Sequence, residues 1–251
     1  MQQDDIPPEM GYPLFGAAHL ISVAVTLSLV VIALFVLRKK SGRVQSRVLK
    51  AIPLVMLALE AAKDLFLLSI HKFGLGYLPL HVCSIGIFVF LLRELLPLKW
   101  AKAYFGEVAY ALIMPASLVA LVFADWTIYY PVLNFINLHS YLWHGLLVLY
   151  PALLFMSKEI SPSIRHIHWV LLFLCLVVPP IYLFDKRFNC NYFFVNWPIP
   201  NSPLSWLASF MGNPGYLIGY AVLTILVLLL VYKMTPNLRP QGSKMSPRLR
   251  P

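Results

Sequence analysis

The sequence predicts an all-α, polytopic membrane protein, a bundle of about seven transmembrane helices with the N-terminus outside and the C-terminus in the cytoplasm. Three observations predict this fold class. The 251 residues are 60% hydrophobic and 12% charged, whereas soluble domains are about 45 to 50% apolar and about 25% charged. Long apolar runs follow one another along the chain, and basic residues cluster in alternate connections between them. The bilayer must therefore be the solvent.

The apolar runs set the expected helices, because a bilayer-spanning helix needs about 20 apolar residues. Runs of this kind occupy Leu14–Leu37, Val48–Ile70, Leu78–Leu92, Tyr104–Phe123, Leu133–Met156, Ile167–Leu183 and Gly215–Tyr232. The third run is the shortest. It spans only if it begins at Tyr77 and continues through Arg93 and Glu94 towards Leu96, with its charged ends snorkelling to the interface.

The distribution of Lys and Arg predicts the orientation. Of the 20 basic residues, 16 lie in alternate connections or in the C-terminal tail, and the opposite side holds only Lys72, Lys186 and Arg187. Cytoplasmic loops retain Lys and Arg, which places the N-terminus outside and the chain in the cell membrane. Because the net charge of +10 is spread between apolar runs, nucleic acid is not an expected partner.

Two segments outside the helices have a distinct composition. Residues 1–234 are expected to form one seven-helix transmembrane domain, and residues 235–251 a basic, disordered cytoplasmic tail. The outer connection from Phe184 to Trp206 is long, aromatic and rich in Pro and Asn. We expect it to fold back over the helix bundle.

The second run carries three ionisable residues, Glu60, Lys63 and Asp64. An ionisable group at membrane depth costs about 2.5 to 3.5 kcal/mol on insertion scales, so it needs a partner or a task. Spacings of three and four residues put all three on one helical face. They form either a structural ion pair or a polar wall that contacts substrate.

Histidines recur in the outer halves of the predicted helices, at His19, His81, His139 and His144. Cys83 follows His81 by two residues at the start of the third run, where a helix N-terminus and an imidazole favour a reactive thiolate. On one helix that spacing turns the two side chains about 200° apart, so a histidine from another helix is the better base.

The fifth run offers two such bases. His144 shares a helical face with Asn137 and Tyr141, whereas His139 lies about 140° away, beside Trp143. The face of Asn137, Tyr141 and His144 is the more polar and is expected to point inward, which ranks His144 ahead of His139.

The other cysteines are expected to play no catalytic part. The three cysteines are widely spaced and lack the spacing of a disulfide scaffold or zinc site. Cys175, within an apolar run, is interpreted as inert packing, and Cys190 as a free thiol or loop contact in the outer connection.

Five segments together resemble the YwaF-like integral membrane family, whose animal relatives include transmembrane protein 164. They are FGAAHL at Phe15–Leu20, the pair Glu60 and Lys63, LPLHVCS at Leu78–Ser84, HSYLWHGLLVLYP at His139–Pro151, and the Asn-Tyr and prolines from Asn191 to Pro203. The resemblance implies a multi-pass acyltransferase acting on phospholipid or lysophospholipid, with the acyl group carried on Cys83. The family-like Gly-Thr-Asn-Tyr reads Asn189-Cys190-Asn191-Tyr192 here, a departure from the pattern.

The expected chemistry is acyl transfer through a thioester, with His144, His139 and His81 as candidate bases for Cys83. Donors to an oxyanion are Asn137, Tyr141, Asn191 or Tyr192, and Lys63 holds a lipid phosphate or pairs with Glu60. No metal or organic cofactor is required. The alternatives are a lipid-binding or transport protein without catalysis, and haem ligation by facing histidines such as His81 and His144.

Overall fold

The computed structural model describes residues 10–200 and 202–235, and the regular elements in this part of the chain are all helical. The predicted tail at 235–251 lies almost entirely outside the described residues. The α-helices, in chain order, are α1 Ala17–Leu37, α2 Gly42–Ser69, α3 Val82–Leu95, α4 Lys99–Val108, α5 Met114–Val122, α6 Phe135–Met156, α7 Ile167–Phe188, α8 Pro203–Met211 and α9 Tyr216–Met234. A π-helical turn, Ala109–Ile113, joins α4 to α5 in one continuous rod.

Five helical stretches within the described residues are long and apolar enough to cross a membrane: Ala17–Leu37, Lys99–Ile128, Phe135–Met156, Ile164–Phe188 and Tyr216–Met234. These stretches correspond to five of the seven predicted runs. The outward faces of α1, α7 and α9 remain exposed and aliphatic, as expected of surfaces that contact lipid.

The other two predicted runs fold differently from these five. The 28-residue helix α2 is long enough, but its apolar stretch is interrupted by Glu60, Lys63 and Asp64. Helix α3 has 14 residues, a length of about 21 Å at 1.5 Å per residue, against a bilayer core of about 30 Å.

The charged end of α3 is buried, so the expectation that Arg93 and Glu94 snorkel to the interface is wrong. The Arg93 side chain is 2% exposed, and its guanidinium contacts Glu94 at 2.5 Å and Glu159 at 2.9 Å. Tyr150 donates its hydroxyl hydrogen to the same Glu94 carboxylate at 2.6 Å. Tyr150 of α6 and Glu159 of the following turn supply this buried end with partners, without which a buried charge would be strongly destabilising.

Helix α6 is the central element, with α1, α2 and α5 packed around it. Gly145 allows α1 to approach closely, because a methyl group there would lie 3.1 Å from Thr26. Gly86 of α3 does the same for Leu147, where a methyl group would come within 2.5 Å. Small residues at such crossings are typical of membrane helix packing.

The connection between α7 and α8 packs over the bundle, as predicted. The Tyr192 hydroxyl donates to the carbonyl of Leu75, and Tyr216 donates to the carbonyl of Phe194 at 2.7 Å. Tyr192 is 1% exposed. A long loop is thereby fixed against the start of α9 and the segment that precedes α3. Helix α8, from Pro203 to Met211, was not predicted.

Candidate active site at the histidine end of the bundle

Three histidines converge at one end of the bundle, which we call the histidine end: His81 precedes α3, and His139 and His144 lie on α6. The imidazole of His81 interacts electrostatically with His144 and with Lys63 of α2. His139 interacts with the same two groups. Lys63 is thus the charge common to His81 and His139, and three separate helical segments contribute to one site.

His144 has a defined tautomer. Its Nδ1 lies 2.7 Å from the carbonyl oxygen of Ser140, and a carbonyl oxygen only accepts, so Nδ1 carries the hydrogen. In the neutral ring Nε2 then holds a lone pair. The ring stacks on Trp126, with centroids 5.0 Å apart and planes 7° apart. His144 is therefore held as a base with Nε2 as its accepting atom.

His139 faces a different neighbour. Its ring stacks on Trp143 at 5.4 Å and lies next to the backbone of Leu59 on α2. Its Nε2 is buried and has no hydrogen-bond partner among the described residues. The two histidines of α6 thus point to different sides, as the helical spacing predicts.

Cys83 lies at the start of α3, with its sulfur 4.0 Å from the hydroxyl of Ser117 on α5. Ser117 also donates to the carbonyl of Ile113 at 2.8 Å and is fully buried. A serine has one hydroxyl hydrogen. When Ile113 receives it, the Ser117 oxygen is free to accept from the thiol of Cys83.

Helices α3 and α6 run in the same direction. Gly86 packs against Leu147, and Phe90 stacks on Tyr150 with ring centroids 4.0 Å apart. Cys83 and His144 each lie three residues before the Gly86–Leu147 crossing. Residues three apart share a helical face. Cys83 therefore lies one turn before Gly86 on α3, and His144 lies one turn before Leu147 on α6, each on the face that makes the crossing.

His81 is covered by the loop that follows α7. Its ring lies 4.8 Å from that of Tyr192 and 5.5 Å from that of Phe194. Aromatic side chains from a distant segment thereby close this side of the site. His81 is the N-cap residue of α3, but its side chain makes no capping hydrogen bond.

The ammonium of Lys63 has three partners. It lies 2.7 Å from Glu60 and 3.3 Å from Asp64, and it donates to the carbonyl of Tyr77 at 3.2 Å. Glu60 is 7% exposed. This geometry is that of a buried ion pair, and it favours the structural interpretation of Glu60, Lys63 and Asp64.

The remaining candidate residues are held by protein contacts. Asn137 accepts from Tyr12 at 3.0 Å and donates to the carbonyl of Val132, and the Tyr12 hydroxyl also lies 3.2 Å from Tyr141. Asn137, Tyr141 and His144 are all buried, as expected of an inward face, but His139 and Trp143 on the other side of α6 are buried as well. Burial therefore does not rank His144 ahead of His139.

Asn191 closes its own loop. Its side-chain oxygen accepts from the backbone of Asn196 and Trp197, both at 3.1 Å, and its amide donates to the carbonyl of Trp197. Both acceptor positions of the carboxamide oxygen and one of its two N–H groups are thus taken up within the loop.

Three further predictions concern single residues. His19 is bonded at both ring nitrogens, from the backbone N–H of Phe15 and to the carbonyl of Leu121, and so has a structural role. Cys175 is exposed on α7, which contradicts the expectation that it packs inside the protein. The Cys190 thiol contacts the carbonyl of Phe188 at 3.7 Å, a loop contact as expected.

Sequence reasoning missed Trp126 and Ser117, which contact His144 and Cys83. Neither residue lies in a motif. Ser117 belongs to α5 and Trp126 to the turn between α5 and α6, so no sequence signal connects either of them to the site. Within the described residues, no three His, Cys, Asp or Glu side chains are grouped to hold a metal ion.

Comparison with known proteins is informative at the family level. A search of curated proteins and a search of solved structures each gave no match. A model of the TMEM164 family matches residues 14–232, a range that contains every candidate site residue. The chain therefore belongs to the TMEM164 family.

Proposed function

We propose that this membrane protein is an acyltransferase that moves an acyl group between phospholipids and lysophospholipids through a thioester on Cys83. The observation that carries the proposal is the fixed tautomer of His144: the Nδ1 bond to Ser140 leaves Nε2 as a proton acceptor. That histidine and Cys83 lie one turn before the same helix crossing, at Gly86 and Leu147. A thiol and an imidazole base on adjacent helices suit nucleophilic acyl transfer.

In the first half-reaction, His144 Nε2 takes the thiol proton and Cys83 Sγ attacks the ester carbonyl carbon. The C–S bond forms and the carbonyl electron pair moves onto oxygen. Collapse of this intermediate breaks the ester C–O bond, and the leaving alkoxide receives the proton from His144, which gives a lysolipid. The acyl group then remains on Cys83 as a thioester.

In the second half-reaction, the roles of acid and base reverse. His144 Nε2 takes a proton from the hydroxyl of an acceptor lysolipid, whose oxygen attacks the thioester. The C–S bond breaks and the Cys83 thiolate regains the proton from His144. Water in place of the lysolipid would release a fatty acid.

The neighbouring groups take supporting roles in this proposal. Lys63, paired with Glu60, adds a positive charge near His81 and His139. His81 and His139 are the secondary bases. The chemistry needs no metal or organic cofactor.

The proposed membrane arrangement has seven crossings. Helices α2 and α3 join the five apolar stretches to give seven crossings of the cell membrane, with residues 1–234 as the transmembrane domain and the basic tail at 235–251 in the cytoplasm. The short α3 crosses with help from the segment before it, which carries Pro79. The histidine end then faces outside, where acyl chains reach it from the outer leaflet.

Lipid binding or transport without catalysis is the second candidate. A cleft of about 360 Å³ opens between the start of α3 and α7, and its lining is entirely apolar: Leu80, Ile85, Leu176, Val177, Pro180, Ile181 and Phe184. Such a cleft suits an acyl chain and does not itself require a reaction.

Mass spectrometry of the purified protein separates the two candidates. After incubation with phosphatidylcholine in proteoliposomes, we expect an acyl group on the peptide that contains Cys83. Cys83→Ala should abolish this adduct and lysolipid formation, whereas Cys175→Ala, a control cysteine on the exposed face of α7, should leave both unchanged. His144→Ala should impair acylation more than His139→Ala. A well-folded Cys83→Ala variant with full lipid remodelling would exclude the thioester mechanism. Wild-type protein that binds phosphatidylcholine but forms neither acyl-Cys83 nor lysolipid would favour lipid binding.

A further inference from the structure

Trp126 combines two features that the acyl-transfer chemistry described above does not use. Its indole ring stacks on His144, with centroids 5.0 Å apart and planes 7° apart. Its Nε1–H is buried and has no acceptor among the described residues. Buried polar groups almost always have a partner, so an unpaired donor next to a candidate base calls for an explanation.

Four other candidate donors already make a hydrogen bond or an ion pair within the protein. The amide of Asn137 donates to Val132, and the hydroxyl of Tyr192 to Leu75. The amide of Asn191 donates to Trp197. The ammonium of Lys63 is held by Glu60, Asp64 and the carbonyl of Tyr77.

We propose that the Nε1–H of Trp126 donates a hydrogen bond to the carbonyl oxygen of the acyl group while Cys83 attacks it. This inference rests on the proposed acyl transfer and adds a catalytic residue to it. The indole N–H is a donor only, so it suits an oxygen that gains negative charge. Stacking on His144 holds this donor next to the base that serves the same reaction.

The physical effect follows from where charge develops. As the C–S bond forms, the carbonyl electron pair moves onto oxygen, and a donor already in place stabilises that charge without reorganisation. The donor also gains a partner that it lacks in the resting protein. Loss of one such donor lowers the rate of acyl transfer by roughly 100-fold or more.

Trp126→Phe is the informative variant, because phenylalanine keeps a ring to stack on His144 and lacks the N–H. Trp143→Phe is the matched control. Trp143 is a buried residue of α6 at the same end of the bundle, and it stacks on His139 instead of His144. Both substitutions remove the same group and a similar volume.

Two reactions of the same thiol separate a donor from a packing residue. Acylation of Cys83 by p-nitrophenyl palmitate in detergent micelles passes through an oxyanion and is followed by nitrophenolate release. Alkylation of Cys83 by iodoacetamide uses the same sulfur but creates no oxyanion. Both are measured on the full-length protein, with thermal unfolding as a check of the fold.

We expect Trp126→Phe to slow acylation about 100-fold, with iodoacetamide alkylation unchanged and Trp143→Phe close to wild type in both. A parallel fall in acylation and alkylation would assign Trp126 a structural role and overturn the inference. Unchanged acylation would overturn it as well, while leaving the proposed function intact. Absence of acyl-Cys83 in the wild-type protein would overturn both.

Discussion

Tyr150 donates a hydrogen bond of 2.6 Å to Glu94, a carboxylate that also contacts Arg93. This buried network lies at the end of the bundle opposite the histidines. It joins α3 to α6 at the far side of the same crossing that positions Cys83 and His144. Loss of this network would therefore also loosen the crossing of α3 and α6 that positions Cys83 and His144.

Tyr150→Phe tests this network. A hydrogen bond to a charged group contributes about 1.5 to 3 kcal/mol, against about 0.5 to 1.5 kcal/mol for a neutral bond. We expect Tyr150→Phe to lower the unfolding temperature in detergent clearly more than Tyr110→Phe, which removes a neutral bond of 3.2 Å to Thr235. Equal falls in unfolding temperature would mean that the hydrogen bond from Tyr150 to Glu94 contributes no more to stability than the neutral bond.

The crossing at Gly86 can be tested by a double-mutant cycle with Leu147. A methyl group at Gly86 would lie 2.5 Å from Leu147 Cδ2, and overpacking typically costs about 1 to 3 kcal/mol. Gly86→Ala should lower both stability and Cys83 acylation. In the Leu147→Ala background the same substitution should cost less, because the closest clash is gone and only Ile113, at 3.1 Å, still crowds the methyl group.

Gly42→Ala is the control for this cycle, since a methyl group there meets no atom within 4 Å. Additive effects of Gly86→Ala and Leu147→Ala would show that the two residues do not limit the approach of α3 to α6.

The pair Glu60 and Lys63 should behave as a buried ion pair. Lys63→Met strands the carboxylates of Glu60 and Asp64 and is expected to cost about 3 to 5 kcal/mol. The double change Glu60→Leu with Lys63→Met should be milder, because it removes both members of the closest pair. Thermal unfolding measures stability, and acylation of Cys83 measures function. A double variant that unfolds like wild type but is inactive would assign these residues to substrate binding.

Cys190 tests the membrane orientation. A membrane-impermeant thiol reagent on intact cells should label Cys190, and Ser41→Cys, in the connection between α1 and α2, should react only after permeabilisation. Partial burial, followed by the nearby Asp185 carboxylate, raises the pKa of the Cys190 thiol. Because the thiolate is the reactive form, labelling should accelerate with pH over a range above that of an ordinary cysteine. Reaction of Ser41→Cys in intact cells would contradict the predicted orientation and place this connection outside.

The predictions that follow from helical periodicity were the successful ones. The spacing of Asn137, Tyr141 and His144 predicted that they share an inward face of α6, and all three are buried, although His139 and Trp143 on the other side of the helix are buried too. Apolar length located the five helical stretches that are long and apolar enough to cross a membrane. Both signals are local, since they depend only on residues within one helix.

Long-range contacts explain what periodicity missed. Arg93 was expected to reach for water, because nothing in its own helix indicates that Glu159 lies beside it. Trp126 and Ser117 reach the site from the rod and turn that precede α6, and no sequence spacing connects them to His144 or Cys83. Cys175 looks like a core residue by composition, because lipid-facing and buried positions in a membrane helix are equally apolar.

The π-helical turn at Ala109–Ile113 has a consequence for the rod that contains it. Each extra residue inserted in an α-helix rotates everything beyond it by about 100° about the helix axis. The side chains of α5 are therefore rotated relative to those of α4. On α4, Glu107 faces His166 at 3.2 Å, and on α5, Ser117 faces Cys83. A straight helix of the same sequence would satisfy only one of these two alignments. Deleting one residue from this turn would therefore shift one face relative to the other, with no change to the residues on either face.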